Sequence, residues 1–548
     1  MDTIKITFNG NITKEYPKGT TYYEISKDVH LNNPILGVKI NNSVSTLDKA
    51  PIKDENIEFF DVTDINAYMM YKSGLKMIFE LALHHVIPNA DVSFDHSVPK
   101  GMLGTIVSSK ILDDNDVIKL KNEMNNIIKA NYRLKKMYVR KKDAIDFFCK
   151  TKQEEKADNI RNIMDGSVTL YNLDNLINYY YCDMPYETSS INKYDLIYLG
   201  NNKMVFTFPN NRTKGELPKY IPNDKIIGSF YEGKSWLDKL DMPYVTDLNK
   251  VIGSGKVKEF INSTEIMFNL SIANLAKTVL SNNKIKFLLI AGPSSSGKTT
   301  TEKRIQEYLQ AMGYDPIGFS MDDYFYDREA TPKDEFGNYE FESPEAVNIN
   351  LLNQNVMDLI NNKEVKLSRY NFYTGKREET VKTVKMKDNS IILIEGLHSL
   401  NDKVLPGIKD ELKYKIYLSP FMPLKIDRDN YISTVDLRLL RRIVRDNGTR
   451  GHDVSDSIKT WQVVRNGEEK YIFPFINKAD VIINTALAYE IGVLKVYLEP
   501  LLYSVSMDSL YYEEAQRLLK SLKIYYSIPS EYVSKESILR EFIGGKND

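Results

Sequence analysis

The sequence has few of the residues that mark secreted, membrane-spanning or strongly charged proteins. It contains only two cysteines, Cys149 and Cys182, among 548 residues, which excludes a disulfide framework and fits a reducing compartment. Its formal net charge is −1, so no overall field attracts nucleic acid or an anionic membrane. Its most apolar runs, 287–292 and 391–397, are far too short to cross a bilayer. We therefore expect a cytoplasmic protein without a membrane partner.

Other features are also absent. The first ten residues, MDTIKITFNG, lack a basic stretch followed by an apolar core, so we expect no signal peptide. Neither an internal repeat nor a low-complexity tract is visible. A chain of this length exceeds what one hydrophobic core supports, which predicts roughly two to four domains.

Apolar patterns and turn residues divide the chain into parts. The predicted parts are a β-rich module at 1–62, a mixed α/β region at 63–205, a linker and helix at 206–283, and an α/β domain at 284–548. In the first part, Ile4, Ile6 and Phe8 alternate with polar residues, as in a half-buried strand. Helical spacing of apolar residues predicts helices at about 114–129 and 257–281.

The last part alternates apolar runs with helical patterns. The runs are KFLLIA, PIGFSMD, IILIEG, YKIYLS and DVIINT. This alternation predicts a doubly wound parallel sheet with helices on both faces. The carboxyl ends of such strands form one edge, where functional groups gather.

The phosphate-loop pattern G-x-x-x-x-G-K-[ST] occurs twice. GPSSSGKT (292–299) follows an apolar strand, precedes a predicted helix and has small interior residues, so its N–H groups can close around an anion. GSFYEGKS (228–235) follows only a weak apolar run, and Phe230, Tyr231 and Glu232 would obstruct or repel a phosphate. We predict a nucleotide site at 292–299 and a turn at 228–235, with the two aromatic rings packed against a neighbouring domain.

The chemistry of the phosphate loop assigns roles to its residues. Gly292 and Gly297 permit the tight backbone path, Lys298 reaches the β- and γ-phosphates, and the Thr299 hydroxyl ligates Mg²⁺. The pattern therefore predicts a nucleoside triphosphate with Mg²⁺. We expect ATP as the donor, and the pattern leaves GTP open as an alternative. The predicted nucleotide-binding residues are Gly292, Pro293, Ser294, Ser295, Ser296, Gly297, Lys298, Thr299 and Thr300.

Two further groups lie near the same sheet edge. Asp322 and Asp323 end the second strand and Glu395 ends the third, which suits one carboxylate to accept a proton and another to hold Mg²⁺. A basic run, RLLRRIVRDNGTRGHD (438–453), predicts an amphipathic helix with a flexible tip. Such an element can act as a lid that neutralises the transferring group and excludes water.

In order, GPSSSGKT, SMDDYFYDR, FESPEAVN, RYNFYTGKR, IEGLH and RRIVRDNGTRGHD resemble the motifs of the uridine kinase and phosphoribulokinase family of P-loop kinases. The resemblance covers 284–548. It implies phosphorylation of the 5′-hydroxyl of a nucleoside, with uridine or cytidine expected. It also implies that Asp322 is the general base, that Lys298, Arg445 and Arg450 contact phosphates, and that Glu395 lies beside Mg²⁺.

The same resemblance implies an acceptor site. Glu342 would hold the ribose hydroxyls with help from Arg442, while Tyr370, Phe372 and Phe341 would flank the base. Without the motif, packing in the core would be the better interpretation of these aromatic residues.

Several base-reading positions depart from the family pattern. Asn371 replaces an Asp, Gly375 stands where a His is usual, His452 replaces an Arg, and Thr460 replaces a Gln. Because a site that hydrogen-bonds its substrate discriminates through those groups, the preferred base is left open. A kinase for another small hydroxyl acceptor is an alternative.

The front half also resembles known modules. Residues 1–62 resemble a TGS domain, which is ubiquitin-like (β-grasp). Residues 63–205 resemble the α+β editing domain of threonyl-tRNA synthetase, most clearly at 171–190.

The metal-binding histidines of that editing domain are missing here. Lys72 and Lys76 stand in place of one His pair, and Cys182 is followed by Tyr186 instead of a His, which makes a poor metal site. The resemblance therefore implies a degenerate module without deacylase activity. An RNA- or ribosome-associated nucleotide sensor without turnover is a second alternative.

The densest basic stretch of the front half is RLKKMYVRKK (133–142). It could contact RNA phosphates, although a solvated face is the simpler interpretation. The expected partners are thus a nucleoside substrate, a weak RNA contact and further copies of the chain in a homo-oligomer.

Overall fold

The structure is a computed structural model of the chain, and it describes residues 2–41, 43–334 and 337–545. Within those ranges, no helix is both long and apolar enough to cross a membrane. Buried apolar side chains form separate clusters in the N-terminal sheet, in the middle region and on each face of the C-terminal sheet. The predicted domain boundaries stay a prediction.

Alternating apolar residues build the N-terminal sheet. Ile4, Ile6 and Phe8 are buried, and the strand order is β2-β1-β5-β3-β4, with β1 parallel to β5. The β-rich pattern is therefore confirmed, whereas the likeness to a TGS module stays a prediction. The elements are β1 (Thr3–Phe8), β2 (Ile12–Pro17), α1 (Tyr22–Ser26), β3 (Gly37–Ile40), β4 (Ser43–Ser45) and β5 (Glu55–Phe60).

A buried helix, α2 (Ala67–Val86), forms the centre of the middle region. It packs between an antiparallel sheet of order β11-β12-β7-β6, a second sheet of order β10-β9-β8, and α3. The helix predicted at about 114–129 is confirmed as α3. The other elements are α3 (Asp114–Ala130), α4 (Lys141–Lys150), α5 (Glu154–Arg161), β6 (Asp91–Val98), β7 (Gly101–Val107), β8 (Lys135–Arg140), β9 (Ser167–Leu173), β10 (Leu176–Asn178), β11 (Asp195–Gly200) and β12 (Lys203–Thr207).

Three helices follow the polar linker: α6 (Asp224–Lys239), α7 (Val245–Gly253) and α8 (Val257–Ser281). The prediction of a turn at 228–235 is wrong, because these residues lie inside α6. The Asn223 side chain accepts from the Ile226 N–H and caps this helix. A helix cannot form the closed phosphate loop, so this second match binds no phosphate in this way.

The predicted packing of the two aromatic rings in α6 is confirmed. The Phe230 ring stacks on His96, with centroids 4.8 Å apart. The Tyr231 hydroxyl lies 3.1 Å from Asp95 and 2.9 Å from Thr105. All three partners belong to β6 and β7 of the middle region, so α6 joins that region to the C-terminal domain.

A five-stranded parallel sheet of order β14-β17-β13-β18-β19 organises the C-terminal domain. Along β13, Leu288 and Ile290 face one apolar cluster while Phe287 and Leu289 face another. Helices cover both faces, as predicted. The elements are β13 (Phe287–Ala291), α9 (Lys298–Ala311), β14 (Asp315–Ser320), α10 (Ile349–Ile360), β15 (Val365–Asn371), β16 (Lys376–Val384), β17 (Ser390–Glu395), β18 (Lys413–Ser419), α11 (Thr434–Arg450), α12 (Val454–Tyr471), β19 (Val481–Asn484), α13 (Glu490–Tyr503), α14 (Tyr512–Leu522) and α15 (Arg540–Ile543).

The connection between β18 and α11 reaches into the middle region. We call residues 425–431 of this connection the bridging loop. The Phe94 N–H of β6 donates to the Arg428 carbonyl at 2.8 Å. The Arg428 guanidinium binds Asp91 at 3.2 Å and Glu155 at 2.8 Å. The bridging loop thus links the front half to the start of the arginine-rich helix.

Candidate active site

Buried side chains hold the backbone of the phosphate loop from outside. The carbonyl oxygens of 294–296 accept, in order, from Arg438 at 2.7 Å, Arg441 at 3.3 Å and the Thr485 hydroxyl at 2.7 Å. These contacts fix the path of the loop. The protein itself thus satisfies these three carbonyl oxygens. A bound anion would instead accept from backbone N–H groups of the loop.

Two glycines let the loop close. Gly297 has φ +83°, in the left-handed region, and it immediately precedes α9. A Cβ on Gly292 would lie 2.5 Å from the Ser296 hydroxyl and 2.7 Å from the Leu418 carbonyl. A larger residue at either position would strain or displace the loop.

Arg438 and Arg441 do not belong to a lid, which corrects the interpretation of the basic run. They are only 1% and 0% exposed. Arg438 pairs with Glu468, and the Arg441 Nε donates to Glu490 at 2.8 Å. The three-residue spacing puts both guanidiniums on the buried side of α11, where they support the phosphate loop.

The carboxyl ends of β14 and β17 bring predicted site residues to the phosphate loop. Glu395 Oε1 lies 3.4 Å from the Thr299 hydroxyl and 2.7 Å from the Ser320 hydroxyl. Burial and the charge of Asp322 raise the pKa of Glu395 to about 8, against the opposing charge of Lys298. Glu395 therefore lies close enough to Asp322 and Lys298 to interact electrostatically with both.

The two neighbouring aspartates differ in their contacts. The Asp323 carboxylate accepts from the Tyr370 N–H at 3.1 Å, and burial raises its pKa to about 6. It ties the end of β14 to β15. Among the described residues, the Asp322 carboxylate has neither a hydrogen bond nor an ion pair. Asp322 is thus the aspartate left available for a ligand.

Three arginines of α11 surround one buried carboxylate. Asp446 lies 3.2 Å from the Arg442 Nε, 2.8 Å from Arg445 and 3.5 Å from Arg450. Burial raises the pKa of Asp446, but the three guanidiniums outweigh burial and hold it below its ordinary value. Three positive charges against one negative leave a net positive cluster facing the phosphate loop, where Arg442 lies 3.4 Å from the Ser294 hydroxyl.

The predicted flexible tip after this cluster is wrong. Helix α11 continues to Arg450 and ends at Gly451, which has φ +68°. The charge of Arg445 and burial lower the pKa of Arg450 to about 10. The contacts of Asp446 with Arg442 and Arg450 each span one helical turn, so they favour continuing the helix through these residues.

Four aromatic rings gather near β15. Phe325 lies at the centre, with ring centroids 6.1 Å from Phe341, 5.5 Å from Tyr370 and 6.1 Å from Phe372. The Arg450 guanidinium lies 5.0 Å from the Phe372 centroid. The predicted aromatic residues therefore do meet. Sequence reasoning missed Phe325, although it lies within the SMDDYFYDR motif.

Glu342 follows Phe341 of this cluster, and among the described residues its carboxylate has no hydrogen bond to another side chain and no ion pair. It is only 7% exposed. Burial and the charge of Glu468 raise its pKa to about 7, against the opposing charge of Arg442. A buried carboxyl without a partner is costly, and a hydroxyl-bearing ligand would supply one.

The positions that depart from the family pattern have local structural partners. The Asn371 carbonyl oxygen of the side chain accepts from Tyr373 and Thr374 N–H groups at 2.9 and 3.1 Å. Gly375 has φ +72°, and together these residues form the turn between β15 and β16. The Arg442 guanidinium donates to the Thr460 hydroxyl at 3.3 Å. His452 closes the end of α11 through its backbone N–H, which donates to the backbone carbonyl of Asp446 at 3.2 Å.

One buried residue near this site was given no role in the sequence analysis, although it ends the IEGLH motif. His398, three residues after Glu395, is 2% exposed. It lies against the backbone of Glu342 and Ser343, and burial lowers its pKa to about 4. It is therefore neutral over the physiological range.

The editing-like motif positions are occupied by the chain itself. The Lys76 ammonium donates to the Asp429 carbonyl of the bridging loop. Lys72 lies 4.4 Å from the Tyr431 ring centroid. Tyr186 lies elsewhere, stacked on Tyr23 with centroids 4.0 Å apart. Lys72 and Lys76 therefore share the Tyr431 ring, whose centroid is 5.4 Å from the Lys76 ammonium, whereas the Tyr186 ring packs on α1.

A buried polar cluster lies around Asp429. We call Lys76, Lys156, Asn178, Glu80 and Asp429 together the filled pocket. The Asp429 carboxylate binds the Lys156 ammonium and accepts from the Asn178 amide at 3.0 Å. The Asn178 amide also donates to Glu80 at 2.7 Å. Burial and the charge of Asp429 raise the pKa of Glu80 to about 7. The buried His96 ring lies in β6 and contacts the Thr434 hydroxyl at 2.9 Å.

The basic stretch 133–142 also has internal partners. Lys136 binds Asp183 at 2.9 Å, Arg140 binds Asp143 at 2.8 Å, and Lys141 donates to two backbone carbonyls. These contacts leave fewer free charges for RNA than the sequence implies. An RNA contact here stays a prediction.

The residues that form this site are similar in sequence to one family of known proteins. Residues 287–491 match the Phosphoribulokinase / Uridine kinase family. Uridine kinases of Staphylococcus aureus strains JH9 and Newman are 33% identical over 195 residues, which make up 35% of this chain and 84% of each relative. A solved structure described as a possible uridine kinase from Bacillus stearothermophilus covers 39% of this chain and 97% of its own, with 21% identity and a TM-score of 0.28. That structural overlap is too weak to carry an argument.

Proposed function

We propose that this chain, which belongs to the phosphoribulokinase and uridine kinase family, is an ATP-dependent kinase of nucleosides. The acceptor would be the 5′-hydroxyl, with uridine or cytidine as the expected nucleoside. The observation that carries the proposal is the meeting of Asp322, Lys298 and Glu395 beside the phosphate loop, opposite the arginines of α11. A phosphoryl transfer needs this combination of one free carboxylate and several positive charges.

In the proposed mechanism, the phosphate loop binds the triphosphate through its backbone N–H groups and Lys298. Asp322 orients the acceptor hydroxyl and takes its proton as the oxygen attacks the γ-phosphorus, while the bond to the β,γ-bridging oxygen breaks. Arg445 and Arg450 stabilise the negative charge on the transferring group. Glu342 and Arg442 hold the sugar hydroxyls, and the aromatic cluster around Phe372 supports the base.

The oxygen groups at the phosphate loop fit Mg²⁺. The Thr299 hydroxyl and the Glu395 carboxylate lie 3.4 Å apart, and Mg²⁺ is commonly held by one or two protein oxygens together with substrate phosphates and water. Among the described residues, no group of three or more His, Cys, Asp and Glu side chains is arranged to hold a metal. When bound, Mg²⁺ would neutralise phosphate charge and orient the triphosphate.

The test is single-turnover transfer from γ-labelled ATP to a panel of nucleosides, with wild type and Asp322→Asn in parallel. Transfer to one nucleoside that the variant loses would support the proposal and identify the base. ATP binding without transfer to any nucleoside would contradict it and favour either another hydroxyl acceptor or a nucleotide sensor.

For the front half, we propose a TGS-like module followed by an editing-like domain that no longer hydrolyses. The contact that supports this proposal is Lys76 bound to the bridging loop at Asp429, because a filled pocket cannot accept a mischarged amino acid. The front half would then serve to hold α11 in place through the bridging loop. A deacylation assay with mischarged tRNA should show no activity, and measurable turnover would contradict the proposal.

A further inference from the structure

The C-terminal residues 537–545 pack directly on the phosphate loop. Ile538, Leu539 and Phe542 are almost fully buried, at 1%, 0% and 1% exposure. The Arg441 guanidinium, which holds the loop at its Ser295 carbonyl, lies 4.8 Å from the Phe542 ring centroid. Arg441 therefore contacts both the C-terminal segment and the phosphate loop.

A second contact joins the segment to the loop. A Cβ on Gly297 would lie only 2.4 Å from the Ile538 Cδ1. The segment thus approaches the residue that directly precedes α9. Ile538 fixes the distance between the C-terminal segment and the nucleotide-binding end of this helix.

One carboxylate of the segment binds where phosphates are bound. Glu541 Oε2 accepts from the Thr300 N–H at 3.1 Å and from the Thr300 hydroxyl at 2.7 Å. Thr300 lies in the first turn of α9 and directly follows GPSSSGKT. Backbone N–H groups at this end of a phosphate-loop helix are the donors that cradle the nucleotide phosphates. A carboxylate that accepts from them takes the place of a phosphate oxygen.

A phosphate and this carboxylate cannot share the same donors. Both are anionic, and within hydrogen-bond distance of one N–H group they would repel each other strongly in a partly buried site. Nucleotide binding therefore requires the Glu541 side chain to move away. An apparent affinity falls in proportion to the fraction of molecules that are competent to bind.

We propose that residues 537–545 form an autoinhibitory element, in which Glu541 occupies a phosphate position at the start of α9 and nucleotide binding displaces it. This inference rests on the nucleotide site of the proposed function. It adds a level of control, because anything that draws the C-terminal segment away from the loop would raise the affinity for nucleotide. The buried side chains of Ile538 and Phe542 would keep the segment nearby while Glu541 moves.

The first experiment measures equilibrium binding of ATP with Mg²⁺ to the full chain. Glu541→Ala should lower Kd at least about fivefold, since the variant no longer pays for displacing the carboxylate. Glu541→Gln should lower it less, because the amide still accepts a hydrogen bond without the charge. The matched control is Glu531→Ala, an exposed glutamate of the same C-terminal region, which should leave Kd unchanged.

Lys298→Ala separates the two proposals, because Lys298 belongs to the nucleotide site itself. Unchanged or weaker binding by Glu541→Ala, together with lost binding by Lys298→Ala, would overturn autoinhibition and leave the nucleotide site standing. An absence of ATP binding in wild type and in every variant would overturn both proposals.

Hydrogen exchange supplies a second, independent measurement on the unmodified protein. Saturating ATP should speed amide exchange in residues 540–545 while it slows exchange in the first turn of α9. Unchanged or slower exchange in residues 540–545 would contradict the displacement of Glu541.

Discussion

Two regions of this chain bury clusters of charged side chains, and they differ in what those charges bind. In the filled pocket of the middle region, Lys76, Lys156 and Asp429 bind one another or neighbouring polar groups. In the candidate active site, Asp322 and Glu342 lie beside positive groups without such partners among the described residues. Buried charge is stable only when compensated. The first cluster is compensated by the protein, whereas we expect a bound ligand to compensate the second.

The largest expected effect comes from breaking the filled pocket. Lys156→Met leaves Asp429 buried without its cation, which should lower the stability of the front half by about 3–5 kcal/mol. Hydrogen exchange of the α2 amides measures this local free energy. Lys135→Met, at an exposed lysine of β8, should change it by less than about 0.5 kcal/mol. If the α2 amides were equally protected from exchange in the two variants, the ion pair of Lys156 with Asp429 would contribute little to stability.

The phosphate loop provides the next test. Lys298→Ala should lower the single-turnover rate by about 10²–10³-fold, because a positive group aimed at the transferring charge is lost. The stability of the chain should hardly change, since within the described part of the chain the Lys298 ammonium donates only to the Pro293 carbonyl, at 3.2 Å. Lys303→Ala, on the exposed side of α9, is the control and should keep full activity. A large loss of stability in Lys298→Ala would mean that the lysine serves the fold.

A smaller effect should appear in the pH dependence of acceptor binding. Because the pKa of Glu342 is raised to about 7, its ionised fraction rises about tenfold between pH 6 and pH 8. The ionised carboxylate accepts hydrogen bonds from sugar hydroxyls more strongly, so KM for the acceptor should fall about tenfold over this range. Glu342→Gln should flatten the profile, whereas Glu345→Gln, at an exposed site, should not. An unchanged slope in Glu342→Gln would remove this residue from the acceptor site.

The sequence predicted the parts that depend on local pattern. The continuous apolar runs became the five parallel strands, and the small interior of GPSSSGKT distinguished it from GSFYEGKS. The second match was correctly rejected as a phosphate loop, but the turn predicted in its place is wrong. The helix follows instead from the Asn223 cap and from Ile226, Phe230 and Leu237 on a common apolar face.

Contacts between distant residues could not be read from the sequence. Arg438 and Arg441 belong to the same basic run as Arg445 and Arg450. Only the packing of α11 shows that Arg438 and Arg441 are buried. Glu541 meets Thr300 across 241 positions, and Lys156 meets Asp429 across 273. No spacing rule links such pairs, because tertiary packing alone brings them together.

The most direct test compares Asp322→Asn with Asp429→Asn, one isosteric change in each cluster, at a temperature where both variants are folded. Single-turnover phosphoryl transfer and hydrogen exchange of α2 are measured on each. The account predicts that Asp322→Asn loses at least ~10²-fold in rate with unchanged protection, and that Asp429→Asn loses protection while its rate stays within about tenfold of wild type. Near-normal transfer by Asp322→Asn, with ATP bound and an accepted nucleoside present, would contradict the account.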